Sequence, residues 1–421
     1  RPHEIDGIVA RAQGNPLFAE ELLRVFREVG SLESLPDNLH AALDAEIDRL
    51  DPQARRALRY ASVLGRSFRR SVLDETLRYD DDGELDAETF DRLKSFLEAD
   101  GPQRLRFRNS MIRDAAYEGL AYRTRAKLHA AAGRAVETLS TDLDADADTL
   151  SLHYFSAGIQ DRAWRFSKLA GDLAFGKFAS VEAVEYYRRA LEAGRRLTDV
   201  PDEDRFSVYD SLGAARMRLG MYEDSIAAFR AARKLVPHDP RRQVALYQAE
   251  ARATVRLEKF SQAMRTLSRT ITTLDEAGDS LPESDRLSQR AQVEALYAWC
   301  LLLRGRATQG LEWGHRAEVD AEASGDAFAK ADAYDALFTL YVVLGQHPPR
   351  PYGELALAAF RDGGFLIRQA GTLVHLGMEA ALDGRCAEAQ EHYLESEEVA
   401  RRAGATFEPA SAQSSLKTPG P

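Results

Sequence analysis

Two cysteines in 421 residues, Cys300 and Cys386, are too few for a disulfide framework and have no metal-ligand spacing. That scarcity fits a reducing compartment. Nowhere does the sequence reach the run of about 18 uncharged apolar residues that a helical membrane span needs. Arg1 to Gln13 is charged throughout and lacks the apolar centre of a signal peptide. The expected location is therefore the cytoplasm, with no membrane partner. Alternating runs of β-branched residues are nearly missing, while Ala, Leu, Arg and Glu dominate, so the chain reads as all-helical. An excess of positive charge is missing too: 67 acidic residues stand against 56 basic ones, for a net charge of −11. This balance disfavours broad nucleic-acid binding.

Catalytic signatures are equally scarce. A phosphate-gripping loop needs Gly-x-x-x-x-Gly-Lys-Ser/Thr, so that backbone amides and the lysine surround the phosphates. The sole Gly-Lys, Gly176-Lys177, is followed by Phe178 and sits in a helical pattern. No hydrophobic strand ends in paired acids, and neither Gly-x-Ser-x-Gly nor a catalytic cysteine arrangement occurs. The nine histidines form no His-Glu-x-x-His and no Cys/His cluster. Asp142, Asp144 and Asp146 mimic the start of a calcium loop, but Ala147 stands where Gly is needed and His153 where Glu is needed. They read as a solvated linker, and Asp80-Asp81-Asp82-Gly83-Glu84 reads as an exposed acidic turn. The expectation is a chain that is not an enzyme, with no catalytic residue, no metal site and no cofactor of its own.

What is present in abundance is repetition. The length is too great for one compact core, and 44% hydrophobic with 29% charged residues suits a folded chain. Between Tyr209 and Pro237, Leu212-Gly213 is followed by Gly220, Tyr222, Ser225, Phe229, Ala232 and Pro237. The spacing predicts a helical hairpin. Small residues at Gly213, Ser225 and Ala232 would admit close approach, and Tyr222 and Phe229 would fill the space between hairpins. Gly220 would turn the chain and Pro237 would stop the second helix. The same spacing returns at Leu376-Gly377, Gly384, Cys386, Ala389, Tyr393 and Ser396. Partial copies occur at Gly305 with Gly310 and Ala317, at Phe338 with Gly345, at Phe260 with Ala263 and Leu267, at Gly158 with Ala163, and at Ala183 with Tyr187 and Ala190. Trp164, Trp299 and Trp313 are expected to pack between helices.

This pattern resembles the tetratricopeptide repeat, here with turn glycines at 305, 345 and 384, which is a longer period than the usual one of about 34 residues. The resemblance implies an α-solenoid over 141–402 that holds a protein or peptide ligand on its concave face. The residues lining that face are not fixed by the pattern.

The segment Gly14-Asn15-Pro16-Leu17-Phe18-Ala19-Glu20-Glu21-Leu22 breaks one helix and restarts another, with the proline near the new N-terminus. It resembles the Gly-x-Pro motif in the helical lid of STAND and AAA-like ATPases. By that resemblance Pro16 would lie against the adenine of bound nucleotide, with Gly14 allowing the close turn. Leu35-Pro36, Ile47-Asp48-Arg49-Leu50, Arg55 to Leu58, Ala61 to Phe68, and Asn109 to Leu120 continue the similarity, with Arg125, Leu128 and His129 at the matching places and Asn109 where the family usually has His. Arg104 to Phe107 reads as a short strand. The resemblance implies lid helices over 1–35 and a winged-helix-like domain over 36–140. After the solenoid it leaves a disordered tail over 403–421.

The basic cluster Arg104, Arg106, Arg108, Arg113, Arg123, Arg125 and Lys127 raises DNA contact. In the family, however, this domain docks on the ATPase core, so nucleic acid is not the expected partner. With no initial methionine and a terminal Ser-Ser-Leu-Lys-Thr-Pro-Gly-Pro, the sequence reads as a fragment. The resemblance is nearest to bacterial proteins carrying a class III adenylate/guanylate cyclase ahead of the ATPase. It implies a non-catalytic regulatory and interaction region, with ATP or ADP bound only in the intact parent. Two alternatives stay open: part of an ATP-dependent LuxR-type transcriptional regulator, and a free-standing repeat scaffold.

Overall fold

The computed structural model describes residues 39–78 and 87–403, together with positions 8–10, 12, 19, 22, 23 and 26. Gly14 and Pro16, most of the expected lid over 1–35, the acidic turn at 80–84 and the tail after Ala403 lie outside the described residues. The chain divides into two compact units, residues 1–200 and 201–421.

In the first unit, α1 (Leu39–Arg49) and α2 (Pro52–Val63) lead into β1 (Ser67–Arg69) and α3 (Arg70–Arg78). The start of α2 is fixed chemically: Asp51 Oδ1 accepts from the amides of Gln53 and Ala54 at 3.0 Å, with Pro52 at the first helical position. Next come α4 (Ala87–Arg92), a 3-10 turn over Leu93–Ser95, β2 (Leu97–Ala99), β3 (Arg104–Phe107), α5 (Ser110–Glu118) and α6 (Tyr122–Leu139). The strands form an antiparallel sheet in the order β1-β3-β2, with Phe68 opposite Leu105 and Leu97 opposite Phe107. Alternation along β3 buries Leu105 and Phe107 against Phe68, Leu58, Leu73, Phe96 and Leu128. Ile8, Ala12 and Leu22 belong to the same core. A small twisted sheet flanked by helices is winged-helix-like. Three further helices, α7 (Ala147–Ala157), α8 (Gln160–Gly176) and α9 (Ser180–Gly194), pack in sequence after α6.

The second unit consists of helical hairpins: α10 (Asp202–Arg218) with α11 (Tyr222–Leu235), α12 (Pro240–Arg256) with α13 (Phe260–Ala277), α14 (Glu283–Leu303) with α15 (Ala307–Ser324), α16 (Ala327–Val343) with α17 (Tyr352–Asp362), and α18 (Leu366–Leu382) with α19 (Cys386–Arg402). Each second helix also packs on the following first helix, and the first helices α12, α14, α16 and α18 pack on one another in turn. Among the described elements, second helices make no comparable contacts with each other. Helices that touch on one side and splay on the other make a curved stack, so the first helices of this unit form its inner face. The fold is all-α: a winged-helix-like part followed by a tetratricopeptide-type solenoid.

Two details of the expected hairpin change. The turn residue is left-handed at Gly220, Gly305, Gly345 and Gly384, but the equivalent positions are Phe178 (φ 60°) and Glu258 (φ 58°) in two other hairpins. Phe229 does not merely fill a gap between hairpins. It covers Gly213 inside its own hairpin while sharing an apolar cluster with Leu246 of α12. Ser225 reinforces the same approach by donating to the Gly213 carbonyl at 2.8 Å.

Candidate ligand face of the second unit

The inner face of a hairpin stack is floored by side chains from successive first helices. On α12, α16 and α18 these positions carry charge, and α14 contributes Trp299. Asp332 and Asp335, three residues apart on α16, are both buried. Asp332 is tied to Arg368 of α18 by a short ion pair and lies 3.6 Å from Arg252 of α12. Asp335 accepts from Thr372 at 2.8 Å, stands 3.8 Å from Arg368 and 3.4 Å from His375 Nδ1. Thr339 completes the set, its hydroxyl 2.9 Å from the same His375 nitrogen and bonded at 2.9 Å to the Asp335 carbonyl. The Trp299 ring lies 5.5 Å from that of His375. Trp299 was expected to be core packing alone; it borders this polar set instead.

Arg252 and Arg368 each keep about a third of the side chain open to solvent, 33% and 36%. They are nonetheless walled by enough protein that burial lowers the proton affinity of both. For Arg368 the value falls to about 10, with burial the main cause and the positive charges of Arg252 and Arg256 adding to it. Reachable by water yet surrounded by protein describes a side chain on the floor of a concave surface. Arg368 Nε is buried there without a hydrogen-bond partner.

A second acidic cluster sits between α14 and α15. Glu294 is 3% exposed, its Oε2 has no partner, and Ala291, Ala295, Ala317, Ala321, Ala329 and Ala333 cluster in the adjoining seam. Arg290 is shared by Asp275 at 2.9 Å and by Glu294 and Asp320 at 3.5 Å each. Burial, with Asp320 next, pushes the Glu294 carboxyl up to about 7. Cys300, fully buried on α14, has its thiol pushed up to about 12 by burial and is not an activated nucleophile.

The first unit offers different chemistry. His129 and His153 face each other with Nδ1 atoms 3.0 Å apart, and Tyr117 bonds the other nitrogen of His129 at 3.1 Å. Burial holds His153 down at about 3, with His129 adding, and holds His129 down at about 4, with Arg113 and Arg125 adding. Beside His153 opens a cleft of about 430 Å³ lined by Asp148, Leu152, Val181, Glu182 and Tyr186. Among the described residues no group of three or more His, Cys, Asp or Glu could hold a metal.

The basic cluster of the winged-helix-like part is largely spent on internal contacts. Arg104 bonds Ser67, Arg106 and Arg108 pair with Glu98, Arg113 bonds the Ser62 carbonyl, and Arg125 bonds the carbonyls of Leu120 and Glu118. Asn109, the departure from the usual histidine, caps α5 by accepting from Ile112 N at 3.0 Å. Asp146 is not a free linker residue: it pairs with Arg69 of β1 at 2.9 Å and accepts from Ser140. No described helix is long and apolar enough to cross a membrane.

No protein-family model matches the sequence. No curated protein matches it either. Solved structures do resemble the fold. The apo form of RapI matches at 10% identity and TM-score 0.47, over 68% of this chain and 94% of that one. Aspartyl phosphate phosphatase F from Bacillus subtilis matches at 12% identity and TM-score 0.45, over 94% and 93%. A STAND protein with a tetratricopeptide repeat sensor from Pyrococcus horikoshii matches at 14% identity and TM-score 0.38, over 95% of this chain and 57% of that one.

Proposed function

We propose that this chain is a non-catalytic regulatory and protein-interaction region whose second unit holds a protein or peptide segment along the inner face of α12, α14, α16 and α18. The carrying observation is the charged floor. Burying Asp332 and Asp335 costs desolvation energy, and an ion pair in such surroundings is a weak source of stability compared with apolar packing. A solenoid that needed only to stand would fill these positions with the alanines and leucines found elsewhere in the unit. Charge retained on a concave, solvent-reachable surface suits recognition.

The parent in this reading is a STAND ATPase–repeat signalling protein with an adenylate/guanylate cyclase output. It is supported by the resemblance around Gly14 and Pro16, by its continuation through Asn109 to Leu120, and by a winged-helix-like part joined to helical repeats. Pro16 and Gly14 would contact ATP or ADP in the parent, and the ATPase core would be a partner of the first unit. Ligand binding would control the output only by favouring one of two states of the parent.

The test is selection of a random peptide library on the full chain alone, after which each selected peptide is titrated into the wild type and into the Arg252→Glu, Trp299→Ala double variant. Peptides that bind the wild type and lose at least tenfold affinity for the variant support the reading. Peptides held equally by both place recognition elsewhere and overturn it.

A further inference from the structure

Arg252, Asp332 and Arg368 stand on the second, fourth and fifth hairpins of the second unit, yet they meet in one ion bridge across the inner face. The cations there outnumber the acids. Asp332 and Asp335 serve Arg252, Arg368 and His375, and nothing is left for Arg256. Arg256 follows Arg252 by one helical turn and so lies on the same side of α12. It is exposed, has no ion pair among the described residues, and is near enough for its charge to act on Arg368. Arg368 in turn keeps a buried Nε–H with no acceptor. A local cationic surface with unused donors, inside a chain of net charge −11, is a specific feature rather than a reflection of composition.

We propose that the ligand of this face is an acidic peptide segment, whose carboxylates pair with the free donors of Arg256 and with the solvent-reachable part of the Arg368 guanidinium, displacing Asp332 from its bridge. The inference rests on the inner-face reading above and adds the chemistry of the occupant. Guanidinium groups pair with carboxylates in two-point geometry, which gives orientation as well as attraction. Asp332 meets Arg368 through a single oxygen and turns its other oxygen toward Arg252, so it acts as an internal stand-in that the ligand must replace. A buried carboxylate left without a partner would oppose the exchange, and Arg252, 3.6 Å from the other oxygen of Asp332, supplies one. Trp299, beside His375, provides a flat apolar neighbour for the aliphatic part of the segment.

Fluorescein-labelled hexaglutamate titrated into the full chain reads this directly, with hexaglutamine, hexalysine and a six-residue oligothymidylate as parallel probes. Hexaglutamate is expected to bind best, with affinity falling as salt rises. Arg256→Glu should weaken it at least tenfold. This position is exposed, so circular dichroism should show an unchanged fold. Arg401→Glu, a charge reversal on the exposed face of α19, should leave binding intact. Absence of hexaglutamate binding, equal binding of hexaglutamine, or tighter binding of the oligonucleotide overturns the inference. A library peptide that needs Arg252 and Trp299 but contains no acidic residue also overturns it, while leaving the inner-face reading standing.

Discussion

Phe229 lies against the bare Cα of Gly213, so closely that a methyl group there would come within 2.5 Å of its ring. Tyr187 covers Gly171 and Tyr393 covers Gly377 in the same way, each aromatic sixteen residues after its glycine. One hairpin inverts the arrangement: Phe338 on the first helix covers Gly353 on the second. In the α14/α15 hairpin the glycines at 310 and 314 are filled from the next helix, by Leu340 and Leu337. A large group against a missing side chain is thus the recurring joint.

Gly213→Ala should therefore destabilise the chain despite alanine's better helix propensity. Overpacking a well-filled contact costs about 1–3 kcal/mol, against roughly 1 kcal/mol gained from propensity. Gly371 in α18 has open space where its Cβ would go. There Gly371→Ala should raise stability by about 0.5–1 kcal/mol. Urea denaturation of the two variants should move in opposite directions.

The hairpin turns give a second pair of opposite signs. Gly220 has φ 73°, so Gly220→Ala should cost about 1 kcal/mol or more. Glu258 has φ 58° without being glycine, and Glu258→Gly should be neutral or stabilising by less than about 1 kcal/mol. Thermal denaturation of each variant checks both.

These turns also mark what could be read from the residues in order. Hairpins whose turn is glycine, at 220, 305, 345 and 384, stand out by spacing. Those turning on Phe178 and Glu258 have no glycine at the left-handed position and were visible only through flanking residues such as Ala183 and Ala263. The charged floor was not legible at all. Arg252, Asp332 and Arg368 meet because of how successive hairpins rotate, and no local pattern encodes that rotation. The short strand at Arg104–Phe107 was legible from its alternation. The internal use of the neighbouring arginines was not, since it depends on Glu98 and on the carbonyls of Ser62 and Leu120.

Glu294 should make stability fall as pH rises. Its folded carboxyl is raised to about 7 from the ordinary 4.5, so its contribution is complete below 4.5 and is lost as pH climbs through 7. The slope in that window should approach about 1.4 kcal/mol per pH unit. Glu294→Gln should flatten the slope and leave the variant more stable than wild type at pH 8. Urea midpoints of the two proteins between pH 5 and 8, as about three evenly spaced measurements, test this linkage.

The His129–His153 pair works in the opposite sense and in the other unit. Both rings are held neutral in the fold, at about 4 and about 3, against 6.5 for the free side chain. Their stabilising contribution is present above pH 6.5 and is lost as the medium is acidified toward the folded values. Amide exchange, corrected for its intrinsic pH dependence, should show α6 and α7 losing protection between pH 6.5 and 4. A double variant with both histidines replaced by glutamine should lose that acid sensitivity while keeping its fold at neutral pH.

The most direct test of partner binding on the inner face is amide exchange of the full chain with and without a peptide selected from the library. Added protection should fall on α12, α14, α16 and α18 and be weak on α13, α15, α17 and α19. Protection confined to those second helices, or to the first unit, would contradict the account.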